Sequence, residues 1–121
     1  MPRTLEQKYA DIAWKQVDRV SPKEFDEYKA RADSFPTFVM QAGLAQAVGF
    51  LKAKGDVYKK YLNDLALVLG KENDQAFYRE VIQAERVEYR LLTRKALAAA
   101  GWLKRMAQAR KASGELGGTH P

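Results

Sequence analysis

The chain has no cysteine and a single histidine, His120. No disulfide framework, thiolate metal site or cysteine nucleophile can therefore be built, and a lone histidine in a glycine-rich tail argues against a metal centre or a histidine base. The lack of cysteine fits a reducing cytoplasm. There is no glycine-rich phosphate loop, because Gly43 and Gly49 fall inside a segment of helical pattern. The carboxylate pairs Asp11/Asp18, Glu24/Glu27 and Glu85/Glu88 stand at helical spacing near lysine or arginine, as exposed helix surface does. No nucleophile, base and orienting group come together, so the chain reads as a protein without catalytic activity and without a cofactor. The longest stretch without charge, Ser34 to Leu51, contains Pro36, Gln41, Gly43, Gln46 and Gly49. It reads as a buried core helix rather than a membrane span. The opening residues, MPRTLEQKYADIAWK, lack the apolar region and cleavage site of a signal peptide, and the expected location is cytoplasmic. No run alternates long enough to make a strand.

What is present is helical periodicity throughout. At 121 residues the chain fits one domain with a real core. Thr4 and Gln7 form the pattern of a capping box opening a helix to about Val20. Ser21-Pro22-Lys23-Glu24 is a second start signal, for a short helix ending near Ala32, before Pro36 pushes Phe35 out of helical conformation. A third, nearly all-apolar helix is predicted from about Pro36 to Lys54, stopped by Gly55. Asp56 caps a fourth ending at Gly70, and Asn73 or Asp74 caps a fifth. That fifth helix either continues into the last one or breaks near Ala84. The expected fold is all-α: a compact single-domain bundle of five or six helices over residues 1–112, followed by a flexible tail, 113–121.

Charge is concentrated in the last helix. From Arg86 to Lys111 there are eight basic residues against one acid, Glu88; this segment carries +7 while the whole chain carries +6. At about 100° per residue, Arg86, Arg90, Arg94, Lys104, Arg105 and Lys111 share a face. Val87, Leu91, Leu92, Ala98, Ala99, Trp102, Leu103 and Met106 take the opposite arc. A solvated stripe normally mixes both signs, and this one lacks the acids for i,i+4 pairs. A polyanion partner is the sharper reading.

Three polar or aromatic residues stand out elsewhere. Gln41 and Gln46 sit on a helix with little room for a solvent face; they either satisfy backbone groups at helix ends or face a partner subunit. Trp14 lies beside Gln7, Asp11 and Asp18 at the edge of its helix's apolar stripe, where it is an interface anchor or packs on a neighbouring helix. Gly43 and Gly49 are expected to admit the close approach of another backbone.

Three segments in register carry a family resemblance: Arg3-Thr4-x-x-Gln7-x-x-Ala10, then Gln41-Ala42-Gly43-Leu44-x-Gln46-Ala47-x-x-Phe50, then Leu92-Thr93-Arg94-x-Ala96-Leu97 followed by Trp102-Leu103-Lys104-Arg105. Their order and spacing over roughly residues 3 to 110 resemble the small helical subunit of the type III-B (Cmr) CRISPR RNA-targeting effector complex. The glycine-rich tail and the stretch 71–85 depart from it. The resemblance implies a non-catalytic subunit in antiviral defence, with copies stacked as a minor filament beside the backbone subunits and helping line the channel for guide RNA and target RNA. Its implied partners are the backbone and large subunits, further copies of itself, and both RNAs by phosphate contacts, with no membrane. Arg86, Arg90, Arg94, Lys104 and Arg105 are the expected RNA contacts, and Trp14, Gln41 and Gln46 the expected subunit contacts. The rival reading is a protein-interaction adapter whose basic face meets an acidic protein. A membrane-surface helix is a weaker third, since Trp102, Leu103 and Met106 look required by the core.

Overall fold

The computed structural model describes residues 2–119, with side chains to Gly114. The expectations placed on His120 fall outside the described residues. Six helices follow one another without a strand among the described residues: α1 (Leu5–Asp18), α2 (Pro22–Ala42), α3 (Leu44–Lys54), α4 (Asp56–Val68), α5 (Asp74–Gln83) and α6 (Arg86–Thr119). The predicted all-helical bundle is the observed fold. No helix among the described residues is long and apolar enough to cross a membrane. α6 continues through Ser113 to Thr119, so no helix end marks the predicted start of a tail.

α1 starts as its sequence dictates. The Thr4 hydroxyl accepts from the Gln7 N–H, and the Gln7 side chain accepts from the Thr4 N–H, so two orphan donors are satisfied reciprocally. The second start signal works differently. Pro22 opens α2, but Ser21 makes no cap to the backbone; its hydroxyl donates to the Glu24 carboxylate.

The main correction concerns where the central helices divide. α2 does not stop at Ala32 but runs through Pro36 to Ala42. Proline in a helix interior costs about 3 kcal/mol through a lost hydrogen bond and a clash with the preceding turn. Packing outweighs it. Phe25, Tyr28, Ala32, Phe35 and Val39 form one buried stripe, with the Phe35 ring 5.5 Å from that of Tyr61 on α4. A break at Pro36 would pull Phe35 and Val39 out of that stripe. The division falls instead at Gly43, whose φ of 90° suits only glycine comfortably. Gly43 ends α2 by donating to the Val39 carbonyl and opens α3 by accepting from the Ala47 N–H. It has no side chain to cap α3, and Tyr89 on α6 supplies the missing acceptor: its hydroxyl receives the Ala45 N–H at 2.8 Å.

The close approach expected at the glycines is therefore made by tyrosine hydroxyls, not by backbone. A β-carbon would lie 3.6 Å from the Tyr89 Oη at Gly43 and 3.3 Å from the Tyr78 Oη at Gly49. Asp56 is not a cap either; it is the first residue of α4, with a φ of 50°, behind Gly55. Asn73 caps α5 by accepting from the Ala76 N–H, and α5 ends at Ala84, whose extended backbone separates it from α6.

The core is continuous through the bundle, with α6 packed along α1 and α2 and α4 packed against α1, α2, α3 and α5. At its centre the Tyr28 hydroxyl donates to the Asp64 carboxylate at 2.6 Å. Burial pushes the Asp64 carboxyl up to about 6 against the lowering effect of that hydrogen bond and of Lys60 and Arg19. Burial likewise raises the Tyr28 and Tyr61 hydroxyls.

Candidate nucleic-acid interface

α6 meets the core through a narrow strip of small residues. Leu92, Ala96, Ala99, Ala100, Leu103 and Ala107 are buried. The alanines let the helix lie close to α1 and α2, which narrows the buried arc below the one predicted. Val87 is 72% exposed and Leu91 47% exposed, so these two lie outside the core, and Ala98 is also exposed. Trp102 and Met106 are half-buried against the core.

The basic row stands where the narrow strip leaves it. Arg86, Arg90, Arg94, Lys95 and Arg105 are exposed and Lys104 is half-buried. None of these six has an ion-pair partner among the described residues. The Arg105 guanidinium lies over the Trp102 ring, 5.2 Å from its centroid. Arg86, Arg90 and Arg94 rise about 6 Å per step along the axis, so the three arginines stand at even spacing on the helix. A planar fork of donors suits phosphate oxygens, and several such forks on one rigid helix bind a polyanion without reading its sequence.

Two basic residues of the same helix do other work. Arg110 lies about 160° round the helix from Arg90. Its guanidinium donates to the carbonyls of Val17 and Val20 at 2.6 and 2.7 Å and lies 4.3 Å from the Phe25 centroid. It satisfies carbonyls at the end of α1 and ties the α1–α2 turn to α6. Lys111, predicted on the basic face, pairs with Asp26 at 3.5 Å. The sequence placed Arg110 off the basic face, but nothing in it identified the carbonyls that it holds; the same is true of Tyr89 and its bond to Ala45.

The three residues expected at subunit contacts are on the surface, on different elements. Trp14 is 58% exposed on α1, beside a shallow depression formed with Val17, Asp18, Met106, Ala109 and Arg110. Gln41 and Gln46 are exposed on either side of the Gly43 break, and neither makes a side-chain hydrogen bond among the described residues. Met40, beside Gln41, is also exposed. No group of three or more histidine, cysteine, aspartate or glutamate residues able to hold a metal occurs among the described residues.

Known proteins share both this sequence pattern and this fold. A family model described as a CRISPR-associated protein (Cas_Cmr5) matches residues 5–110. The chain is 40% identical over 109 residues to the CRISPR system Cmr subunit Cmr5 of Thermus thermophilus, an alignment covering 88% of this chain and 96% of that protein. The X-ray crystal structure of a CRISPR-associated Cmr5 family protein from Thermus thermophilus is similar with a TM-score of 0.84 at 40% identity, over 88% of this chain and 97% of that one.

Proposed function

The chain belongs to the CRISPR-associated Cmr5 family, and from that premise we propose that it is a non-catalytic small subunit of a type III-B Cmr effector ribonucleoprotein, acting in the cytoplasm in antiviral defence. Its copies stack as a minor filament beside the backbone subunits, and its basic helix helps line the channel where guide RNA and target RNA lie. The single observation that supports this reading best is the row Arg86, Arg90, Arg94, Lys104 and Arg105, exposed or half-exposed and without internal counter-ions among the described residues. Such a row adds affinity through phosphates and leaves specificity to base pairing, which is the division of labour a guide-directed machine requires. Stacking of copies needs two different patches on each subunit; Trp14 and the Gln41/Gln46 surface are the pair we assign to that contact.

The test belongs in the assembled complex, where several copies act on one RNA and weak contacts add. Arg90→Gln with Arg94→Gln should weaken target-RNA affinity about equally for unrelated sequences. Each lost single-strand phosphate contact should reduce the log–log salt slope by roughly 0.7. Unchanged affinity and slope would transfer the function to the second reading, an adapter whose basic face meets an acidic protein. That reading draws on Val87 and Leu91, exposed apolar side chains near the arginines.

A further inference from the structure

The α3–α4 turn holds a second basic centre that the charge count along the whole chain conceals. Lys52-Ala53-Lys54-Gly55-Asp56-Val57-Tyr58-Lys59-Lys60 has four lysines and one acid. Lys52 is occupied by Asp74 and Gln75 on α5, and Lys60 helps hold the Asp64 charge. Lys54, Lys59 and the nearby Arg31 have no ion-pair partner among the described residues.

Aromatic rings converge on the same turn. Phe50 is edge-on to Phe38 at 5.3 Å and to Tyr58 at 6.0 Å. It is nevertheless 40% exposed, so the cluster is open on one side. Lys54 Nζ lies 5.2 Å from the Phe50 centroid and Arg31 Cζ 4.5 Å from that of Tyr58. The Arg31 Nε is buried without a hydrogen-bond partner among the described residues.

We propose that this turn is a second RNA contact, at which an unpaired base stacks on Phe50 while Lys54 and Lys59 take the flanking phosphates. The proposal rests on the reading that this chain works on RNA. Cations without matching acids select a polyanion; an open ring among them selects one with exposed flat bases, which single-stranded RNA offers and an acidic peptide does not. Lys54 on its flexible stem can leave the ring face for a phosphate as a base arrives. The site is distinct from the α6 row. Ala45, which Tyr89 of α6 holds, lies nine residues from Lys54, about 14 Å along α3.

The experiment is nuclear magnetic resonance titration of the full chain, following backbone amides and phenylalanine ring signals. The probes are a uridine oligoribonucleotide, an abasic oligomer of equal length, and poly-glutamate. The expected result is movement of the Phe50 ring and of residues 54–60, with the uridine oligomer preferred over the abasic one by roughly 5- to 150-fold, the range of one stacked base. Phe50→Leu, which keeps the apolar contact, should abolish that preference. Lys54→Gln should weaken both oligomers alike. Arg90→Gln with Arg94→Gln should leave the response of the turn in place. Equal affinity for the two oligomers, a preference that survives Phe50→Leu, an equal response to poly-glutamate or no response at the turn each overturns the proposal. A turn that responds while α6 stays silent instead counts against the α6 reading alone.

Discussion

Asp64 and its two tyrosine neighbours show how much one buried polar group can decide. Asp64 is 6% exposed and holds its carboxyl at about 6 because desolvation outweighs the Tyr28 hydrogen bond and the attraction of Lys60 and Arg19. The folded state thus keeps a proton that the unfolded chain has already released. The contribution of Asp64 to stability is present below the unfolded value near 4 and is lost as pH rises through about 6. The difference amounts to about 3 kcal/mol. Asp64→Asn keeps an acceptor for Tyr28 and removes the charge. In urea unfolding, the variant should gain stability relative to the parent between pH 4.5 and pH 7; a constant difference across that window would contradict the account. The tyrosines are predicted to differ from each other. Tyr28→Phe strands the carboxylate and should cost about 1–3 kcal/mol, whereas the Tyr61 hydroxyl is buried with no partner among the described residues, so Tyr61→Phe should be neutral or stabilising by about 1 kcal/mol. Chemical denaturation of the two variants beside the parent checks both.

At the scale of elements, helix ends are held by side chains from distant helices. α3 begins on a glycine and borrows Tyr89 from α6; α1 ends on carbonyls held by Arg110, also from α6. α6 therefore serves on one side as a clamp for α1, α2 and α3 and on the other as a charged surface. The two roles separate by mutation. Arg110→Met removes both bonds to the Val17 and Val20 carbonyls together with the guanidinium's contact with the Phe25 ring. It should lower stability by about 2–3 kcal/mol, read from thermal melts. The Arg90/Arg94 double variant, altering exposed residues without internal partners, should melt within about 0.5 kcal/mol of the parent. A large loss in that variant would mean that the row has a structural partner.

For the molecule as a whole, the question is which surface the bundle leaves unfinished. Trp14 belongs to α1 but lies mostly in solvent beside the end of α6. Truncating a core aromatic costs about 3–5 kcal/mol. Trp14→Ala should cost well under that, about 1 kcal/mol or less, while weakening assembly in analytical ultracentrifugation with the other subunits. Full stability loss with intact assembly would return Trp14 to the core. The basic face of α6 and the α3–α4 turn differ from that patch in chain position and in charge. On the proposed function, one molecule meets protein through its apolar and amide side chains and RNA through its cations.

The sequence by itself determined the helical class, the start of α1 and the location of the charge; it narrowed the cap of α5 to Asn73 or Asp74 and left the break at Ala84 as one of two alternatives, which the structure decided. What it determined or narrowed depends on local signals: a hydroxyl with a glutamine three residues on, an asparagine before an apolar stripe, a row of arginines at 3.6-residue spacing. The register of α2 and α3 was not local. Pro36 argued for a break there, and Gly43 looked like a residue inside a helix; buried contacts of Phe35 and Val39 with the rest of the core outweighed the proline, and the break moved to the one residue able to take a φ of 90°. Tertiary packing also decided that Val87 and Leu91 face solvent, because an alanine-lined seam narrowed the buried arc. It alone brought Arg110 to the carbonyls ending α1, Tyr89 to Ala45, and Phe38, Phe50 and Tyr58 to the turn that carries Lys54 and Lys59. Partners 36 to 93 residues apart leave no periodic trace in the chain, since what joins them is the crossing of helices and not the spacing along any one of them.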